Sequence, residues 1–147
     1  PSGDVVTIFA AHERYAKKSR PLVVIAGKEY GTGSSRDWAA KGPHLLGVDV
    51  IIAESFERIH RANLVGMGIL PLQFQEGESR MSLGLDGSET VDIFIDDALT
   101  LGSVVQARFE RPNGETREAL LVARLDTQRD VHWYRSGGVM PYVLQKI

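Results

Sequence analysis

Cysteine is absent from the 147 residues. That excludes disulfides, thiol nucleophiles, and any zinc site or iron–sulfur cluster built from this chain's own thiolates. Histidine is scarce. His12, His44, His60 and His132 stand apart, with no i, i+4 pair and no acidic neighbour at a metal-binding helix spacing. No self-contained metal site is expected, and the four read as surface or capping residues. No apolar run approaches the roughly 20 residues that span a bilayer, and the amino end lacks a signal-peptide core. No membrane role is expected, and a cytoplasmic location is the default. Charge of one sign is also lacking: 17 Lys plus Arg against 19 Asp plus Glu leave a net charge of −2. The bulk field therefore gathers neither nucleic acid nor anionic lipid, and any anion chemistry must be local.

What is present is an ordinary globular composition, 43% hydrophobic and 24% charged, in a chain long enough for one substantial core. With no internal repeat and no linker-like stretch, residues 1–147 are read as a single domain. The opening Pro1-Ser2-Gly3-Asp4 reads as the middle of a turn, so the chain is expected to be a fragment of a larger one.

Two textures are expected, α/β over residues 1–75 and β-rich with a helical end over 76–147. Thr7 caps a short helix with Ile8, Ala11, Tyr15, Phe9 and Ala16 inward, and Pro21 ends it. Leu22 to Ala26 reads as a strand buried on both faces. A helical stretch from Ser34 to Leu46 is expected to break at Gly42-Pro43, and Val48 to Ala53 is a second strand. Ser55 caps a helix over Phe56 to Val65, and Ile69 to Leu72 returns to strand. This alternation favours parallel pairing. Further on, Val91 to Ile95 is a strand. Val105, Ala107 and Phe109 alternate with polar residues in another, and Pro112-Asn113-Gly114 turns it into a hairpin with Glu118 to Leu125. The closing helix, Gly137 to Ile147, is expected to bury Met140, Val143 and Leu144, with Pro141 in its first turn.

The segment Gly27-Lys28-Glu29-Tyr30-Gly31-Thr32-Gly33-Ser34-Ser35-Arg36-Asp37 leaves a strand, turns on glycines and opens a helix. Backbone N–H groups, the positive end of a helix dipole and one guanidinium then converge on a point suited to an anion. The P-loop order is missing, and Gly31-Thr32-Gly33 lacks the third glycine of a dinucleotide fingerprint. The same residues fit a capping box, with Ser34 as cap and Asp37 three residues on, in which case the glycines only make the turn. Two serines exceed what a cap requires. A serine beside Arg36 and oriented amides has its alkoxide stabilised for proton transfer, and the planar fork of Arg36 suits a carboxylate or phosphate.

Other clusters read as structural. Glu54, Ser55, Glu57, Arg58, His60 and Arg61 mix charges around a helix start and are read as a solvated face. Asp96-Asp97 reads as a solvent-facing turn, and Trp133-Tyr134 as core or interface anchors. The run Arg14, Lys17, Lys18 and Arg20 has only Tyr15 to stack a base, which leaves little for nucleic acid.

Taken together, Tyr30-Gly31-Thr32-Gly33-Ser34-Ser35-Arg36-Asp37-Trp38-Ala39-Ala40-Lys41-Gly42, then Ser55-Phe56-Glu57-Arg58-Ile59-His60-Arg61-Ala62-Asn63-Leu64-Val65-Gly66-Met67-Gly68 and Leu70-Pro71-Leu72, resemble the carboxy-terminal swivel domain of the aconitase family. The resemblance is to the branch of A-type aconitases and iron regulatory proteins, dense from Leu22 to Phe74 and thinner beyond. The isopropylmalate isomerase small subunit shares the Gly-Ser-Ser-Arg core, but Asp37 to Gly42 fits the aconitase branch better. The resemblance implies an α/β swivel-type fold, with a mixed, partly parallel sheet flanked by helices and a β-rich second half. It implies a hydro-lyase of the tricarboxylic acid cycle that interconverts citrate and isocitrate through cis-aconitate. A [4Fe-4S] cluster would be ligated outside this chain, on upstream domains that are its partners. By the same resemblance Ser34 is the catalytic base, Arg36 binds a substrate carboxylate and Ser35 is a neighbouring substrate contact. The isolated domain is then expected to be inactive. Three alternatives stay open: a 2-methylcitrate or 2-methylisocitrate dehydratase, an RNA-binding module of the iron regulatory type, and a stand-alone small subunit that awaits a cluster-bearing partner.

Overall fold

In a computed structural model, which describes residues 4–33 and 37–147, the apolar β-branched runs Leu22–Ile25 (β1) and Val48–Ala53 (β2) pair in parallel. β2 pairs in parallel again with Leu70–Phe74 (β3). Helices Asp37–Leu45 (α2) and Arg58–Gly66 (α3) connect these strands, the crossover arrangement that parallel pairing needs. The second half supplies strands Thr90–Phe94 (β4), Val104–Glu110 (β5) and Thr116–Ala123 (β6), followed by helices Gln128–Arg135 (α4) and Val139–Leu144 (α5). Ile8–Ala16 (α1) precedes the sheet.

The two textures share one sheet. β6 lies antiparallel against β3, with Leu72 opposite Ala123, and the order across all six strands is β1-β2-β3-β6-β5-β4. The alternation expected of β5 is present: Val105, Ala107 and Phe109 are buried while Val104, Gln106 and Glu110 are exposed. Adjacent β2 residues serve opposite faces. Ile51 packs with Ala40 of α2, Leu64 of α3, Val48 and Ile69, whereas Ile52 joins the larger core with Leu72, Phe109, Leu121 and Val131. The hairpin after β5 turns where expected, with Gly114 at φ +83° and the Arg111 N–H donating to the Glu115 carbonyl at 2.9 Å.

Several expectations are corrected. β1 is an edge strand, half-buried along its length rather than covered on both faces, because no strand among the described residues lies beyond it. α1 has its Thr7 cap but buries nothing fully. It rests on the half-buried Ala10, Ala11, His12 and Tyr15, leaving Ile8 and Phe9 exposed, and it ends at Lys17, before Pro21 is reached. α2 runs through Gly42-Pro43 to Leu45. Proline removes one helical hydrogen bond there, and the packing of Ala40 into the core outweighs the loss. α3 is capped by Glu57 instead of Ser55. Thr127 and Asp130 form a capping box that opens α4, a helix absent from the sequence reading. Pro141 does lie in the first turn of α5, but Met140, Val143 and Leu144 face solvent. This six-residue helix docks through the half-buried Val139 and Tyr142, the latter stacked on His132 of α4.

Candidate functional site

The glycine-rich loop is held by the segment that follows β2. Beyond the formal end of β1, pairing continues: Ala26 N–H donates to the Ile52 carbonyl at 2.8 Å, and Glu54 N–H to the Gly27 carbonyl at 3.0 Å. The loop then hooks onto the approach to α3. Glu29 N–H donates to Ser55 Oγ at 2.7 Å, Tyr30 N–H to the Ser55 carbonyl at 2.9 Å, and Glu57 N–H to the Tyr30 carbonyl at 2.9 Å. Tyr30 and Phe56 form an isolated parallel bridge. Ser55 has thus been drawn from helix capping into loop anchoring. Glu57 takes the cap, its carboxylate accepting from the N–H groups of Ile59 at 3.0 Å and His60 at 2.8 Å, where a negative charge also complements the helix dipole.

His60 is the floor of this loop. It is 2% exposed, in contrast to the surface or capping role read from the sequence. The Tyr30 ring leans over it with centroids 5.3 Å apart, and Phe56 meets Tyr30 edge-on at 6.0 Å. Gly31, at φ +98°, lies so close that a Cβ there would overlap Cβ, Cγ and Cδ2 of His60. The second glycine, Gly33, has no neighbour among the described residues that a Cβ would meet. Nδ1 of His60 has no hydrogen-bond partner among the described residues. Burial holds the imidazole below its ordinary pKa, with Glu57 offsetting part of the effect, and burial raises the Tyr30 phenol. Both groups are neutral at pH 7 and carry no charge into the loop.

Ser34, Ser35 and Arg36 lie outside the described residues. The chain is described again at Asp37, whose Oδ1 accepts from the N–H of Trp38 at 2.9 Å at the head of α2. α2 is fixed in turn by Ala40, 0% exposed, against β2 and α3. The loop therefore departs from one anchored element and arrives at another.

The mixed-charge cluster is only partly a solvated face. Arg58 is exposed, but Arg61 is buried and reaches across to the start of α4. Its guanidinium donates to the Arg124 carbonyl at 2.9 Å and pairs with Asp130 at 3.2 Å and Asp126 at 3.3 Å. Asp130 also accepts from the N–H groups of Asp126 and Thr127, both at 3.1 Å. This pair ties α3 to α4 and escaped the sequence reading. The signal was Thr127 followed three residues later by Asp130, the same capping pattern recognised at Ser34 and Asp37. Asp96 sits in the expected turn, accepting from Ala98 N–H at 2.9 Å, and Trp133 and Tyr134 are half-buried against the main core. Among the described residues no group of histidines and carboxylates is arranged to hold a metal ion, and no helix is long and apolar enough to cross a membrane.

The model of the family described as "Aconitase C-terminal domain" matches residues 1–77, just over half of the chain. Among curated proteins, aconitate hydratase A of Legionella pneumophila is 54% identical over 147 residues, covering 100% of this chain and 16% of that protein. Aconitate hydratase A of Escherichia coli is 50% identical over 147 residues with the same coverage. That of Thermus thermophilus is 51% identical over 144 residues, or 98% of this chain and 16% of its own length. The chain thus spans about a sixth of these relatives. A solved 3-isopropylmalate dehydratase of Methanocaldococcus jannaschii shares the fold with a TM-score of 0.54 at 19% identity, over 97% of this chain and 80% of that one.

Proposed function

The chain belongs to the aconitase C-terminal domain family, and from that premise we propose that it is the substrate-binding and proton-abstracting part of a hydro-lyase that interconverts citrate and isocitrate through cis-aconitate. In this reading the Ser34 hydroxyl, ionised with the help of its surroundings, takes the proton from substrate carbon. Arg36 grips a substrate carboxylate through its guanidinium fork and favours the ionised serine, and Ser35 makes a neighbouring substrate contact. A serine hydroxyl ionises far above neutral pH, so the proton transfer needs preorganised positive charge nearby. With His60 and Tyr30 neutral, that charge comes from Arg36 and from the amide end of α2.

The observation that carries this reading is the anchoring of the loop. Hydrogen bonds from Glu29 and to Tyr30 fix one end on the approach to α3, α2 fixes the other at Asp37, and Ser34, Ser35 and Arg36 are the three residues between Gly33 and Asp37. A catalytic hydroxyl and guanidinium held side by side require fixed ends on both sides of the segment that carries them. A chain without cysteine offers no thiolate to a [4Fe-4S] cluster, so in this reading the cluster is ligated on another part of a longer protein. That part also completes the tricarboxylate site. The same reading places the enzyme in the cytoplasm and in the tricarboxylic acid cycle.

Kinetics of the longer protein test it. Ser34→Ala is expected to lower kcat for cis-aconitate hydration by about 10³-fold with stability unchanged, and a variant that keeps most of its kcat overturns the assignment. Parallel assays with citrate, cis-aconitate and 2-methylisocitrate are expected to rank the methylated substrate last. The 147-residue chain alone is expected to show no hydratase activity, and turnover by it would overturn the division of labour.

A further inference from the structure

His60 is a buried imidazole to which the proposed reaction gives no task. The atoms it turns toward the loop are carbon, since a Cβ on Gly31 would overlap Cβ, Cγ and Cδ2 of its side chain. Nδ1 is bonded to Cγ on the side away from Cδ2, so the ring meets Gly31 by carbon contact. Without a side chain at Gly31, the backbone of the loop itself rests on the ring. Hydrogen bonds hold it there: Glu29 N–H donates to Ser55 Oγ at 2.7 Å, and Tyr30 exchanges one bond each with Ser55 and Glu57.

The ring is fixed from below as well. The His60 N–H donates to Glu57 Oε2 at 2.8 Å, and Leu64, one turn further along α3, is buried with Ile51 of β2 and Ala40 of α2. Tyr30, whose ring centroid is 5.3 Å from that of His60, packs against the same cluster. The residue that leads into the loop and the helix that receives it therefore rest on one core, and His60 stands at the point where α3 meets the loop.

We propose that His60 is a positioning residue for the reaction assigned to Ser34 and Arg36, a role that rests on that assignment: its ring, pressed against Gly31 and Tyr30, sets the height of the loop that Ser34 follows three residues on. Packed interiors compress little, so the contact passes a displacement on rather than absorbing it. A misplacement of about 1 Å at reacting groups costs on the order of 10²-fold in rate. Because the side of the ring under Gly31 is carbon, another flat ring serves in its place.

The longer protein, assayed for cis-aconitate hydration, tests this. His60→Ala removes the ring, His60→Phe supplies a different one, and Leu121→Ala opens a cavity in the main core, in the cluster that the loop does not touch. His60→Ala is expected to lower kcat and kcat/KM together by about 30-fold, His60→Phe to restore kcat to within about threefold of the parent, and Leu121→Ala to leave kcat unchanged. A His60→Ala variant within about threefold of the parent, a His60→Phe variant as slow as His60→Ala, or an equal loss in Leu121→Ala overturns the proposal. Amide exchange reads the loop without catalysis. The N–H groups of Tyr30 and Glu57 are expected to exchange at least about 10-fold faster in His60→Ala than in the parent, and unchanged protection at both overturns the proposal too. If His60→Ala does not fold, His60→Leu, which has bulk but no flat ring, is measured in its place with the same expectations. Ser34→Ala, run alongside, separates the two assignments. With Ser34→Ala slow and His60→Ala fast, only the positioning role falls; with Ser34→Ala fast, both fall.

Discussion

Gly31 and Gly33 look equivalent in a Gly-Thr-Gly turn, yet among the described residues only Gly31 meets a neighbour that constrains it. Its φ of +98° is unfavourable for any L side chain, and the root of the His60 side chain occupies the space a methyl group would need. Because the overlap includes Cβ of His60, no rotamer change relieves it. Gly31→Ala is therefore expected to destabilise the protein by about 3 kcal/mol in urea unfolding and Gly33→Ala by less than about 0.5 kcal/mol. His60 adds a pH dependence. Its folded pKa lies below the ordinary value of 6.5 because burial disfavours the cation, so between those two values the unfolded chain binds more protons than the folded one. Stability then rises with pH through that window, is fully present above 6.5, and falls as the solution is acidified. His60→Phe keeps a ring under Gly31 without a titrating group, and is expected to flatten the stability profile on the acid side of 6.5. The glycines, the two serines and Arg36 were visible in the sequence as one chemical unit. That His60 lies under Gly31 was not, because a histidine two residues into a helix looks the same whether the helix start faces water or faces a loop thirty positions earlier.

Elements defined by local signals were legible and those defined by partners were not. Val48–Ala53 and the alternating Val105, Ala107 and Phe109 carry their burial in their own pattern, and both lie where the pattern puts them. β1 has the same β-branched composition as β2 but is an edge, since composition reports a strand and says nothing of how many neighbours it has. Ser55 had the right chemistry for a cap but was claimed by Glu29, a competition decided by tertiary contact. The Arg61 to Asp130 pair belongs to this scale. It couples α3, under the loop, to α4, and its partners are 8% and 4% exposed at the side chain. Removing one member strands a buried charge. Arg61→Ala is expected to lower unfolding free energy by about 3–5 kcal/mol, while Arg61→Met with Asp130→Leu recovers most of that loss. Equal destabilisation by the single and double variants would reduce the pair to ordinary packing.

β3 is the strand on which the whole molecule turns. It accepts β2 in parallel on one side and β6 antiparallel on the other, and Leu72, 0% exposed, faces Ile52 across the first junction and Ala123 across the second. The α/β half and the β-meander half therefore share a backbone ladder and one core, in which Ile52 and Val65 from the first half touch the same cluster as Phe109, Leu121 and Val131 from the second. Two textures in the sequence do not make two folding units, and a single cooperative domain over residues 1–147 is the expectation. Native-state hydrogen exchange in rising denaturant checks it: the slowest amides of β2 and of β5 are expected to merge onto one isotherm, because neither ladder can open while β3 stays paired to both. Leu72→Ala removes core volume at that junction, and should lower the opening free energy of both sets together by about 2–5 kcal/mol. A variant that loosens β2 while leaving β5 at its original protection would divide the molecule at β3, and the loop carrying Ser34 and Arg36 would then belong to a unit that folds apart from the meander.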